Sequence, residues 1–368
     1  MIGRRLALIV GALCIWPVAG SFAEEPGIAF PGVDWVKVKP ESVGFSSEKL
    51  AVLRAWLKTQ KTTALHLSIN GREIFEYGDV KRTSKVASVR KSVLAMLYGD
   101  YVVSGKIDLG KNVVQLGLED VQPFLEIEKH ATLYHLLTAR SGIYHPTANK
   151  ELTDLSPRRG SQAPGTYFQY QNWDFNAAGT AFEKLTGKGI FDALEQDLAR
   201  PSGMQDFDRS KQRMNDEMPV SKHREYAMYL STRDMARLGL LMLADGNWAG
   251  KQVMPKGWST RITTLVTPAS DIHPMQISLR THGSLWGYGM LWWVWDAPNW
   301  PGVVTGPYQR AYTAMGANGQ YITVLPAMNL VIAHKVDFDE DGSRQITLSQ
   351  FHTILQMIIE SDCSESCK

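Results

Sequence analysis

The chain has 368 residues, 44% hydrophobic and 21% charged, with a formal net charge of +2. That is enough apolar material for one large domain or two intimate ones. A near-neutral balance without runs of like charge argues against a nucleic-acid-binding surface, so nucleic acid is not an expected partner.

Arg4 and Arg5, the apolar stretch from Leu6 to Val18 and the small residues ending in Ser21-Phe22-Ala23 read as an export signal over residues 1–23. The apolar run is shorter than the ~20 residues of a spanning helix, so no membrane span is expected once the signal is removed. The mature protein is expected to be periplasmic or secreted. Cys14 is expected to leave with the signal, because Leu13 occupies the place where a small residue precedes a lipidated cysteine.

Pro26 to Pro40 reads as an extended lead-in, followed by a helix from Ser47 to Leu57 with Ser46 or Ser47 as its cap. Ala64 to Ile69, Asn70-Gly71 and Glu73 to Tyr77 spell a β-hairpin. The middle of the chain is mostly helical in pattern: Leu133 to Ala139, Phe175 to Leu185, Ile190 to Leu198 and Thr232 to Leu243. Gln320 to Leu325 and Leu330 to Val336 form a second strand pair, and Ile346 to Ile359 a closing helix. Strands at both ends with helices between them predict an α/β (α+β) fold. An antiparallel sheet flanked by helices is built from both termini, with an inserted all-helical lobe. The predicted domain covers 24–362, with the sheet part at about 43–100 and 285–360, the lobe at about 101–284 and a tail at 363–368. A site at the seam is natural. Cys363 and Cys367 in that tail are able to close a small loop in an oxidising compartment. As a metal pair without nearby histidines they would make a poor zinc site, and the nine histidines show no ligand spacing, so no metal is expected.

One stretch carries chemistry. Ser88-Val89-Arg90-Lys91 is followed by Val93, Leu94, Ala95, Met96, Leu97, Tyr101, Val102 and Val103, apolar on nearly every face, so this helix belongs inside the protein. A lysine in its first turn meets the positive end of the helix dipole and loses water, and both effects depress its pKa. Ser88 and Lys91 share a face three residues apart, which lets a partly neutral amine take the serine proton. Ser46 and Lys49 have the same spacing, but there the lysine can face water and the serine reads as a cap. A second element, Pro164-Gly165-Thr166-Tyr167-Phe168-Gln169-Tyr170-Gln171-Asn172, offers Tyr170-x-Asn172 before a helix.

Ser88-x-x-Lys91 and Tyr170-x-Asn172 resemble the first two motifs of the serine β-lactamase and penicillin-binding-protein superfamily, in its class C and esterase-like branch. The segments Leu136–Ile143, Leu185-Thr186-Gly187, Ser231–Gly239 and Gly287-Tyr288-Gly289 fit the same branch, in order, between about Val43 and Ile359. The resemblance implies a β-lactamase/transpeptidase-like fold and a serine hydrolase working through an acyl-enzyme without a cofactor. Ser88 would be the nucleophile, Lys91 and Tyr170 its proton partners, and Asn172 an orienting group. Lys91 and Tyr170 would titrate as a coupled pair, so which of them is the acylation base stays open.

The third family motif departs from its antibiotic-binding form. Gly316-Ala317-Asn318-Gly319-Gln320 aligns there with Ala317 at the lysine position, so the cation that holds the carboxylate of penicillin-like ligands is missing. An esterase or amidase is therefore expected, resembling EstB-type esterases and nylon-oligomer hydrolases. The alternatives are a β-lactamase or D,D-peptidase or, from another class, a non-catalytic cell-wall-binding relative. The substrate would be a small ester, amide or peptide. Family geometry implies an oxyanion site on the amides of Ser88 and Gln320, with Asn318 nearby. Arg90 is expected to point out to an acidic partner. Of Trp286, Trp292, Trp293, Trp295 and Trp300, about half should enter the core and the rest wall a cleft. A Ser-His-Asp triad is disfavoured, since no Gly-x-Ser-x-Gly elbow occurs.

Overall fold

The computed structural model describes residues 27–149, 156–215, 219–272, 285–297, 306–337 and 344–363. Seven strands form one antiparallel sheet: β1 (Ala64–Ile69), β2 (Arg72–Gly78), β3 (Trp286–Tyr288), β4 (Trp293–Trp295), β5 (Tyr312–Gly316), β6 (Gln320–Leu325) and β7 (Leu330–Lys335). Their spatial order is β2-β1-β7-β6-β5-β4-β3. The two ends of the chain meet where β1 pairs with β7, from Ala64 opposite Lys335 to Ile69 opposite Leu330. Asn70 and Gly71 both take positive φ, 46° and 71°, the conformation that a tight hairpin turn demands. A Cβ on Gly71 would fall 1.7 Å from the carbonyl oxygen of Ala29, because the lead-in crosses the turn there and the Ala29 amide bonds Asn70 at 2.8 Å.

β1, β6 and β7 are buried at every position, so both faces of the sheet must be covered. Alternation divides the work. Tyr321 and His334 face α8 (Leu348–Ile359), where Tyr321 stacks on Phe351 at 3.7 Å, and α1 (Ser47–Leu57) lies beside α8. Ile322, Val324 and Val331 face α6 (Thr232–Leu243) on the other side. Gly239 permits that approach: a Cβ there would sit 2.5 Å from Val331 Cγ1.

The remaining helices are α2 (Val89–Val103), α3 (Leu133–Leu137), α4 (Asn172–Thr186), α5 (Ile190–Ala193), which runs on into a π-helical turn over Leu194–Ala199, and α7 (Trp258–Ile262). α2 is buried from Val89 through Gly99. It is tied to its surroundings by the Ser92 hydroxyl on Leu291 O (2.6 Å), the Tyr98 hydroxyl on Ala178 O (2.6 Å) and the Trp258 indole on Ala95 O (2.9 Å).

The inserted stretch is less purely helical than its pattern suggests. It carries two-stranded ladders at Arg213–Asn215 with Glu225–Ala227 and at Asn247–Trp248 with Lys251–Gln252, and α6 belongs to the sheet layers. Strands of two or three residues are too short to show a period of two. The same brevity hides β3 and β4. Among the described residues, no helix is long and apolar enough to cross a membrane. The expected export signal, Cys14 and Cys367 lie outside the described residues. Cys363 is disulfide-bonded, and its amide donates to Gly44 O at 2.8 Å.

Candidate active site

A short strand, a strained residue and a helix start present Ser88. Ser84–Lys85 pairs with Tyr229–Leu230, the Val86 amide donates to Met228 O (3.0 Å), and Ala87 then turns to φ 46°. That left-handed conformation costs a non-glycine residue about 1–2 kcal/mol, the kind of strain that fixed surroundings maintain at functional sites. The amides of Val89, Arg90 and Lys91 bond back to Val86, Ala87 and Ser88 at 3.2, 3.3 and 3.0 Å, closing the first turn. Lys335, buried on β7, holds the approaching strand by donating to Ser84 O (3.2 Å) and Leu230 O, and burial lowers its pKa to about 8.

The three groups singled out in the sequence converge. Lys91 Nζ lies 3.0 Å from Ser88 Oγ and 2.9 Å from Tyr170 Oη. Lys91 is 2% exposed, while Ser88 and Tyr170 are half-buried, so the serine and phenol are reachable and the amine is not. The Lys91 nitrogen also sits 4.3 Å from the Tyr170 ring centre and 4.5 Å from that of Phe175. Phe175, Trp293 and Tyr288 pack around the Tyr170 ring at 4.9, 5.5 and 6.0 Å. An amine one proton short of ammonium, in this position, can accept the serine proton and exchange it with the phenol.

Asn172 is the first residue of α4, half-buried and two positions beyond Tyr170. A buried polar set anchors this helix start. Gln171 Nε2 donates to Ile143 O and to Asp174 Oδ1 (3.1 Å), and the Ser141 hydroxyl donates to Asp174 Oδ1 at 2.6 Å.

The third strand element corrects an expectation. Gly316, at the end of β5, is the residue pressed against the serine: a Cβ on it would lie 3.1 Å from Ser88 N and 2.5 Å from Val86 O. Gln320 lies across the hairpin on β6, opposite Gly316, fully buried, with Nε2 donating to Val336 O at 2.6 Å. Asn318 is at the turn, φ 65°, with its carbonyl accepting from Ile346 N at 3.1 Å. The three-residue turn reverses the chain between Gly316 and Gln320, so the strand end that faces Ser88 comes earlier than the motif alignment put it. No lysine or arginine occurs from 314 to 320 in either register.

Arg90 does have an acidic partner, but inside the protein. It is 1% exposed, with Nε 3.6 Å from Glu225 Oε1, a terminal nitrogen donating to Asn176 Oδ1 at 3.0 Å, and the guanidinium 4.3 Å from the Tyr226 ring centre. Burial would raise the pKa of Glu225, but Arg90, Asn215 and Lys85 more than offset this and lower it. α2 is buried on all sides in its first turn, so Arg90 cannot point out, and the chain brings Glu225 to it instead. Trp286, Trp292, Trp293 and Trp295 are all buried, at 0%, 0%, 4% and 6% exposure, so these four are core rather than cleft walls. Each ring packs on another aromatic ring, and Trp293 backs the Tyr170 phenol. Trp300, His273 and His282 lie outside the described residues. His334 is buried between Thr62 and Gly319 O, and no group of three potential ligands for a metal occurs among the described residues. Ser46 caps α1, accepting from Lys49 N, while the Lys49 ammonium reaches Glu360 O.

The sequence model of the Beta-lactamase family matches residues 64–334, a span that includes Ser88, Lys91, Tyr170 and all seven strands' core. The chain belongs to that family. This beta-lactamase-family chain is 24% identical over 276 residues to an uncharacterised protein of Alkalihalophilus pseudofirmus, covering 67% of the chain and 71% of the relative. Among solved structures it resembles a family VIII carboxylesterase, at TM-score 0.64 and 16% identity over 91% of this chain and 99% of the other. It likewise resembles a Bacillus anthracis protein provisionally named a 6-aminohexanoate-dimer hydrolase, at TM-score 0.62 and 20% identity over 91% and 87% of the two chains. At these identities the likeness is one of fold, shared with hydrolases.

Proposed function

We propose that this protein is an exported serine hydrolase that cleaves a small ester or amide through an acyl-enzyme. The observation that carries this reading is the chain of contacts from Ser88 Oγ to Lys91 Nζ to Tyr170 Oη, with the amine buried between the two hydroxyls. A binding module has no need of an amine buried between two hydroxyls, one of them a half-buried serine, whereas a serine nucleophile needs such a proton partner. In acylation Ser88 Oγ adds to the substrate carbonyl, and its proton passes by way of Lys91 and Tyr170 to the departing alcohol or amine. Water then adds to the acyl-enzyme, gives its proton back along the same route and releases the acid. Ser88 N and the amides at the end of β5, where Gly316 meets the serine, are the groups suited to the oxyanion. Asn172, at the start of α4, would orient the substrate or the proton partners.

The absence of a cation from 314 to 320 favours esters and uncharged amides over penicillin-like carboxylates. The test is labelling with a fluorophosphonate probe followed by mapping of the modified residue. Label on Ser88 that disappears in Ser88→Ala is expected, and an unlabelled, inert protein that still binds cell-wall fragments would overturn the reading. Rapid turnover of a chromogenic cephalosporin, exceeding that of short-chain esters and linear amides, would replace the esterase with a β-lactamase.

A further inference from the structure

Behind the start of α4 lies a buried charged cluster that the proposed chemistry does not use. Both ring nitrogens of His145 face carboxylates: Nδ1 is 3.3 Å from Asp120 Oδ2 and Nε2 is 3.3 Å from Glu128 Oε2, with all three side chains at 0–1% exposure. Both carboxylates are already committed as acceptors. Asp120 takes the Trp173 indole N–H (2.5 Å), the Ser221 hydroxyl (3.2 Å) and the amides of Lys222 (2.7 Å) and Val121 (2.8 Å). Glu128 takes two guanidinium nitrogens of Arg159, each at 2.8 Å, and the Leu125 amide at 2.8 Å. A neutral imidazole donates from one nitrogen and would turn a lone pair toward the other carboxylate; only the imidazolium donates from both.

Among the described residues, the other charges around the ring are few. Arg159 faces it from beyond Glu128, and Phe124 stacks on it at 5.4 Å. The Lys222 ammonium turns to Glu119 at 3.1 Å. His223, on Trp173, is pushed down to about 4 by burial and is therefore neutral near pH 7. Trp173 is the link to the site, since it follows Asn172 directly and lies in the first turn of α4.

We propose that His145 is a positioning residue for the hydrolytic site: its imidazolium, through Asp120 and Trp173, sets the first turn of α4 and with it Asn172 and Tyr170. This rests on the reading of Ser88, Lys91 and Tyr170 given above. The sign of its pH dependence follows from the surroundings. Burial opposes the charge, but the bonds to Asp120 and Glu128 raise the His145 pKa above its ordinary value. The hold is therefore complete below the unfolded value of about 6.5 and is lost as pH rises through the higher folded value.

Long-range proton–nitrogen spectra of the full-length protein between about pH 5 and pH 10 test the charge directly, with the His145 signals identified by their loss in His145→Gln. Two protonated ring nitrogens at pH 7 are expected, and a neutral tautomer there would overturn the proposal. The rate of fluorophosphonate labelling of Ser88 over the same range tests the positioning. His145→Gln should label about tenfold more slowly or worse at pH 6.5, because a small misplacement of reacting groups is costly, and should lack the alkaline fall that follows the spectral midpoint in the unaltered protein. Asp120→Asn should move that midpoint and the fall in rate to lower pH together. A rate profile unchanged in shape and only scaled down would reduce His145 to a structural role and sink the idea. If His145→Gln does not fold, the unaltered protein and Asp120→Asn still decide through the paired shift. Absence of label in the unaltered protein would end the hydrolase reading and the positioning role together, while the spectra would still report the charge on His145.

Discussion

Lys91 shows how a single side chain joins stability to chemistry. At 2% exposure its nitrogen has exchanged water for two hydroxyls and the faces of two aromatic rings, a setting that compensates a full charge only in part. Lys91→Ala removes the group that the proposed mechanism uses to move the Ser88 proton and leaves a small gap in a helix that is largely apolar beyond its first turn. Turnover of an activated ester should fall by about a hundredfold or more, the usual scale for lost proton-transfer help. Circular dichroism and the melting transition should stay close to those of the unaltered protein. Activity within a few fold of the original would remove the lysine from the mechanism.

Ser88 depends on two elements that are remote in sequence, the start of α2 and the end of β5. Their close approach requires a residue without a side chain at 316, because a Cβ there would enter the Val86 carbonyl oxygen at 2.5 Å, and backbone yields less readily than a side-chain tip. Gly316→Ala should therefore push the strand end away from Ser88 while leaving the rest of the sheet paired. A displacement near 1 Å costs about a hundredfold in rate. Esterase assays and urea unfolding on the same variant separate the effects, with a large loss of rate beside a small loss of stability as the expected pattern. An unaltered rate would show that β5 does not serve the serine. The hairpin beyond Gly316 also explains the misplaced register: Gly316 and Gly319 both fit a glycine-containing motif, and only the direction in which the strand runs past α2 tells them apart.

Across the molecule, the sheet made by the two ends and the inserted helices are joined around α2, and a buried ion pair sits at that junction. Glu225, on a ladder of the insertion, meets Arg90 of α2 and accepts from Asn215, while Arg90 reaches Asn176 of α4. Glu225→Ala leaves the guanidinium buried without its carboxylate, which costs roughly 3 kcal/mol; the double change Arg90→Met with Glu225→Leu should cost clearly less. Denaturant unfolding measures both, and equal losses would mean that the pair contributes little beyond its volume. The strand pairs at the two ends, the interior character of α2 and the three groups that converge, Ser88, Lys91 and Tyr170, were legible in the amino-acid order alone, because hydrophobic period, turn residues and short motifs are local and survive without coordinates. The contacts of Arg90 with Glu225, of Gly316 with Ser88, and of His145 with Asp120, Glu128 and Trp173 were not. Those pairings depend on where distant segments are packed, and a charge written in a sequence does not reveal whether water or another buried charge will face it.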